Sequence, residues 1–229
     1  MVRKRQKEIG GIIVIDLHTH TLFSDGALIP SELARRAECA GYKAIAMTDH
    51  VDHSNIDIVI PGIVRAAKVI NRYWGIKVIP GVEITHVPLE SYAGLVKRAR
   101  RKGALIVVGH GESPVEPVLE GTNRAAIEAG VDILAHPGKI SSSDAKLAAQ
   151  KGVYLEITAR TGHSGGNRHV FDTAAISGAK LVFNTDAHTP EDLMSQEKID
   201  LVLGELTGSR EEIEKILQNS ENILKKLKV

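Results

Sequence analysis

Six histidines and four carboxylates stand where short apolar runs end. VIDLHTHTLFSDG (14–26) carries Asp16, His18, His20 and Asp25. AIAMTDH ends in His50, GVEIT holds Glu83, VVGH ends in His110, LAHPG holds His136, and NTDAH holds Asp186 and His188. In an extended chain successive side chains alternate faces, so Asp16, His18 and His20 are expected on one side of their strand. Imidazoles and carboxylates without cysteine suit Zn²⁺, Mn²⁺ or Fe²⁺. His18, His20, Asp25, His50, Glu83, His110, His136, Asp186 and His188 make nine candidate donors. One ion takes about four to six, so two or three divalent ions are implied. Neighbouring ions can clamp the attacking and leaving oxygens of a displacement at phosphorus or carbon. Any one of these residues alone reads as a satisfied structural group; their joint recurrence at strand ends points to a site. His53, His86, His163 and His169 fall in loops or helix starts and read as surface residues. Asp16 is open between a structural carboxylate and an acceptor that orients a ligating imidazole.

Such residues need elements that bring them together. Strand-like runs (GIIVIDLH, KAIAMTDH, IKVIPGVEI, ALIVVGH, DILAHP, VYLEIT, KLVFNTDAH) alternate with helix-like ones (PSELARRAECAG, GIVRAAKVINRYWG, YAGLVKRARRKG, TNRAAIEAG, SDAKLAAQKG). Several of the helical runs open on Ser, Thr or Pro and close on Gly. Continuously apolar strands between amphipathic helices predict a parallel sheet covered by helices. An open doubly wound sheet would spread the polar strand ends along a line. A closed barrel gathers them at one mouth. The fold predicted is therefore α/β, a (β/α)7 barrel in a single domain over residues 11–229. A basic tail (1–10) precedes it, and C-terminal helices whose stripe includes Ile213, Ile216 and Leu217 pack on it.

The bulk properties fit. At 43% hydrophobic and 25% charged residues the 229-residue chain reads as an ordinary globular protein, and its net charge of +1 gives no case for a polyanion or membrane partner. Cys39 is the only cysteine, and no apolar run spans a bilayer, so a cytoplasmic protein is expected. Aromatic content of 3% leaves no stacking platform for nucleic-acid strands, which are disfavoured as partners.

The segments DLHTHTLFSDG, AIAMTDH, GVEIT, GH, AHPG and NTDAH resemble, in order and spacing, the polymerase-and-histidinol-phosphatase (PHP) superfamily over residues 14–190. The resemblance implies a distorted (β/α)7 barrel with a metal cluster at its mouth. It assigns His18, His20, Glu83 and Asp186 to one ion, with Glu83 bridging to a second held by His110 and His136. Asp25, His50 and His188 take a third; the Asp25 position is histidine or aspartate in the family.

A phosphate also needs cations or backbone donors. Arg160 follows the strand end where histidinol-phosphatase-like members carry a phosphate-binding arginine. Arg168 and Lys139 are further candidates for binding substrate. GHGESPVEPVLEGTNR (109–124) reads as a lid or specificity loop whose Glu112 and Glu116 discourage a polyanion at that edge. The expected activity is a metal-dependent phosphoesterase acting on a small phosphomonoester. Hydroxide formed from ion-bound water attacks in line, Arg160 steadies the phosphoryl charge, and Asp186 or His188 protonates the leaving alkoxide. The alternatives are a phosphodiesterase or exonuclease acting on nucleotides or nucleic-acid ends, and a non-catalytic barrel serving as an interaction module.

Overall fold

The computed structural model describes residues 14–227; the basic tail lies outside the described residues. Strand β1 (Ile15–Asp16) is followed by α1 (Pro30–Cys39), β2 (Ala44–Met47), β3 (His50–Val51), α2 (Ile56–Tyr73) and β4 (Lys77–Ile84). Then come α3 (Tyr92–Arg101), β5 (Ile106–His110), α4 (Thr122–Ala129), β6 (Ile133–Ala135), α5 (Ser142–Lys151), β7 (Tyr154–Thr158), α6 (Asn167–Ser177), β8 (Leu181–Asn184), α7 (Gln196–Thr207) and α8 (Arg210–Leu227). The sheet is parallel, in the order β1-β2-β4-β5-β6-β7-β8, and β3 also pairs with β4.

β2 and β3 are one strand interrupted. Ala44 lies opposite Lys77 and His50 opposite Glu83, the same register on both sides of the gap. Met47 faces Pro80, which has no N–H to donate, and the ladder fails there. The eight segments thus form the seven walls expected. The ends β1 and β8 close the ring through side chains as much as backbone. The Leu17 N–H donates to Asn184 Oδ1 (2.8 Å), Thr185 Oγ1 to Asp16 Oδ2 (2.5 Å), and the His20 N–H to the Ala187 carbonyl (2.9 Å).

Strand alternation builds two cores. Ile15, Leu17, Ala44, Ala46, Ile79, Ile106, Val108, Ile133, Ala135 and Val182 fill the barrel interior, while the opposite faces pack on the helices. Ile223 of α8, with Leu224 and Leu227, joins the interior cluster and closes the floor. The C-terminal helices do pack on the barrel, as expected. Truncating the fully enclosed Ile223 side chain to alanine should cost about 2–5 kcal/mol of folding free energy. A urea titration with an unchanged midpoint would show that the floor is not sealed by this residue.

Helix α2 departs from expectation. The sequence places the helix after Pro61, yet it begins at Ile56 and runs through Pro61. The proline sits near the N-terminus, where it removes a single backbone bond. The helix keeps Gly62 because a Cβ there would meet the Phe23 ring at 2.3 Å. Phe23 belongs to the loop after His20, so this contact ties the loop bearing Asp25 to α2.

Candidate metal centre

The strand ends converge on one mouth, and two carboxylates that are not themselves candidate donors, the buried Asp49 and the half-buried Asp192, set its loops. Asp49, buried beside His50, accepts from the Thr21 and Ser24 N–H groups (2.8 and 3.0 Å) and from both hydroxyls, fixing the loop that carries Asp25. Asp192 accepts from the N–H groups of His188 (2.9 Å) and Thr189 (2.7 Å). His136 and Asp186 are held at positive φ, +27° and +53°, a costly backbone state that turns both side chains inward.

The structure brings all nine predicted donors together. His20 Nε2 lies 3.1 Å from both His18 Nε2 and Asp186 Oδ1, and His18 Nε2 lies 3.4 Å from Glu83 Oε2. His136 Nε2 is 3.6 Å from Glu83 Oε1. His188 Nε2 is 3.2 Å and His50 Nε2 3.7 Å from Asp25 Oδ2. By donor-atom spacing they fall into three groups: His18, His20 and Asp186; Glu83, His110 and His136; His20, Asp25, His50 and His188. His20 bridges the first and third groups.

Whether these groups suit metal ions is tested by their unmet bonding. Both Glu83 oxygens and Asp186 Oδ1 are buried with no well-aligned hydrogen bond, and imidazole nitrogens are their near neighbours, His50 Nδ1 standing 2.8 Å from Glu83 Oε2, an arrangement that is costly unless a cation fills it. Tautomers agree. His18 Nδ1 donates to Glu156 (2.8 Å), His110 Nδ1 to the Gly111 carbonyl (3.0 Å) and His188 Nδ1 to the Asp186 carbonyl (2.8 Å). Each ring therefore turns its Nε2 to the cluster. The donor set fits borderline divalent ions.

Charge is shared tightly among these side chains. Burial pushes Asp186 up to about 7, against the pull of His18. Burial also opposes ionisation of Glu83, but His18, His50 and His110 hold it well below the usual carboxylate range. Burial and the neighbouring imidazoles keep His20 and His136 far below the usual histidine range, neutral and free to ligate.

Glu156 of β7 was not anticipated. Besides His18 it accepts from the His136 N–H (3.1 Å) and from Asn184 Nδ2 (2.8 Å). It fills the orienting role left open for Asp16. That carboxylate instead accepts from the His18 backbone N–H (3.2 Å) and from Thr185 at the β1–β8 seam, away from any imidazole nitrogen. Burial pushes Asp16 up to about 6 despite those bonds. Converting Glu156 to glutamine should weaken metal binding about 10–100-fold while keeping the fold. Competition against a chromophoric chelator measures it, and equal affinity in the two proteins would remove Glu156 from this role.

The substrate candidates separate. Arg160 lies beside the His188 loop, its guanidinium 3.5 Å from Asp192 Oδ2. Arg168 turns along α6 toward Asp172 (3.5 Å) and the Phe171 ring, with no mouth group among its contacts. Lys139 is exposed and forms no ion pair among the described residues. Glu112 does not edge the mouth: Oε1 accepts from the Gly121 and Asn123 N–H groups (3.0 and 2.8 Å) at the start of α4. His163, read as a surface residue, is buried, its ring 4.3 Å from that of His136. His53 is exposed, and His169 donates to the Ile140 carbonyl (2.8 Å).

The model of the PHP domain matches residues 16–130. An uncharacterized protein of Methanocaldococcus jannaschii is 45% identical over 215 residues, 93% of this chain and 99% of that protein. The chain belongs to the PHP domain family. Two solved structures share the PHP chain's fold. One is a chain of archaeal ribonuclease P with mature tRNA (TM-score 0.72, 18% identity, covering 93% of this chain and 91% of that one). The other is histidinol phosphate phosphatase from Lactococcus lactis with zinc, L-histidinol and phosphate (TM-score 0.56, 15% identity, 93% of both). The PHP barrel described above is thus a recurrent α/β architecture. No helix of its described residues is long and apolar enough to cross a membrane.

Proposed function

We propose that this PHP chain is a metal-dependent phosphoesterase that hydrolyses a small phosphomonoester. The observation that carries it is the buried mouth, where carboxylate oxygens with no well-aligned hydrogen bond face imidazole Nε2 atoms. Zn²⁺, Mn²⁺ or Fe²⁺ bound by the nine residues would make a coordinated water acidic and offset phosphoryl charge. Arg160 gives the phosphoryl group a guanidinium; Asp192, paired with it, also bonds the His188 backbone and so fixes the arginine beside the mouth. Asp186 directs Oδ1 at His20, and Asp186 or His188 would supply the proton that the leaving alkoxide needs. His188 orients that segment through Nδ1 on the Asp186 carbonyl.

The cleft supports a small substrate. Beside Asp25 and His50 it encloses about 400 Å³ and is lined by Asp52, Ser54, Asn55, Thr85, His86 and Glu116 among others. That volume is near the lower end for small-molecule sites. Its lining has no large aromatic ring, so it offers no stacking platform to the bases of a nucleic-acid strand. A cavity of about 500 Å³ between α6 and α8 is larger but touches no mouth residue.

Phosphomonoesters and dinucleotides assayed side by side with Mn²⁺ and Zn²⁺ test the reading. Turnover of monoesters is expected. Cleavage of dinucleotides alone would overturn the monoesterase in favour of a nuclease. Protein purified without chelator that holds no metal and turns over neither class would leave a non-catalytic barrel.

A further inference from the structure

Glu116 lies outside the nine mouth residues, on the loop between β5 and α4, yet three imidazoles converge on its carboxylate. Oε2 is 3.0 Å from His110 Nε2 and 3.1 Å from His86 Nε2, and Oε1 is 3.4 Å from His163 Nε2. Donors about 2.1 Å from one ion stand roughly 3.0 Å apart at a right angle and about 3.4 Å apart at the tetrahedral angle. His110 spends Nδ1 on the Gly111 carbonyl, so a neutral ring presents a lone pair to Glu116. A lone pair and a carboxylate at this distance need a positive charge between them, either a proton on Nε2 or a shared metal ion. The backbone supplies an independent sign. Among the described residues three that are not glycine have positive φ: His136 and Asp186 of the mouth, and His86 at +51°. Strain of this kind persists where a site over-determines it.

We propose that His86, His110 and Glu116 form a further divalent-cation position at the rim, sharing only His110 with the donor groups of the mouth, and suited by its two nitrogens and one oxygen to Zn²⁺ or Co²⁺. His86 and Glu116 also line the cleft, so a rim ion borders the space proposed for substrate. His110 belongs to both this position and the Glu83–His136 group. With Nδ1 engaged, it serves one ion at a time, and filling the rim strips the inner group of a donor. The proposal rests on the metal-dependent reading for its inner ions and not for its rim donors.

Co²⁺ titration of the full chain, followed by calorimetry and visible absorption, tests it, with tightly held metal counted after desalting. The wild type should show tight binding and then a second, weaker event. Glu116→Gln and His86→Ala, both on partly exposed side chains, should abolish the second event and leave the tight metal count unchanged. A second event that survives in both variants, or none in the wild type, overturns the rim position while the mouth stands. Loss of tight metal in Glu116→Gln overturns it also, by making Glu116 part of the mouth. Absence of tight metal with a weak event lost in both variants overturns the metal-dependent reading and upholds the rim.

Discussion

Glu83→Gln should lower phosphoesterase activity by roughly a thousandfold or more and reduce the metal retained after purification. Glu83 faces His18 and His50 through Oε2 and His136 through Oε1, so both oxygens are committed to the cluster. Glutamine keeps the shape but replaces one acceptor by an N–H₂ group that cannot ligate. Losing only an orienting partner of a ligand already costs about 10–100-fold, and Glu83 is the group on which most of the others converge. The side chain is fully buried and isosteric with its replacement, so the circular dichroism spectrum should not change. A variant with wild-type turnover and metal content would show that the chemistry lies elsewhere.

Chelation should lower the melting temperature by roughly 8–16 °C. An ion present at about a thousand times its dissociation constant stabilises the folded state by about 4 kcal/mol, and each kcal/mol moves the midpoint of a domain this size by about 2–4 °C. The donors come from walls across the whole ring, His18 after β1 to His188 after β8, so an ion acts as a cross-link at the open end. α8 seals the other end without metal, so the chelated protein should stay folded at room temperature. Calorimetric scans with EDTA and with added Zn²⁺ measure the difference; identical scans would refute the cross-link.

The gathering of the nine candidate residues at one mouth was legible because all but Asp25 stand at or just past the end of an apolar strand, a placement that wastes a core position unless the residue is needed. The seven-fold β/α alternation was legible for the same reason, since strand and helix periods differ. Glu156 was not, because one carboxylate inside VYLEIT cannot be told from a solvent-facing residue until β7 is placed between β6 and β8. Asp16 stayed open between two roles because alternation does not show the seam: past β1 the backbone leaves regular pairing, with the Leu17 and Thr19 N–H groups donating to side chains, and its carboxylate takes the structural role there. Glu116 and His163 meet through loops whose course no periodicity encodes. Pro61 read as a helix boundary because a proline usually ends or begins a helix, and the sequence does not show that the first turn of α2 precedes it.

The seam between β1 and β8 also sets a schedule. Leu17 and Asn184 are 167 residues apart, and at about 5–20 residues per second a ribosome needs roughly 8–33 s to pass from one to the other. During that interval the nascent chain displays His18, His20 and Asp25 without Asp186 and His188. Under the proposed metal-dependent reading, a complete donor set exists only once the strand-end residues on both sides of the seam have been made, so full loading of an ion would accompany or follow closure of the seam.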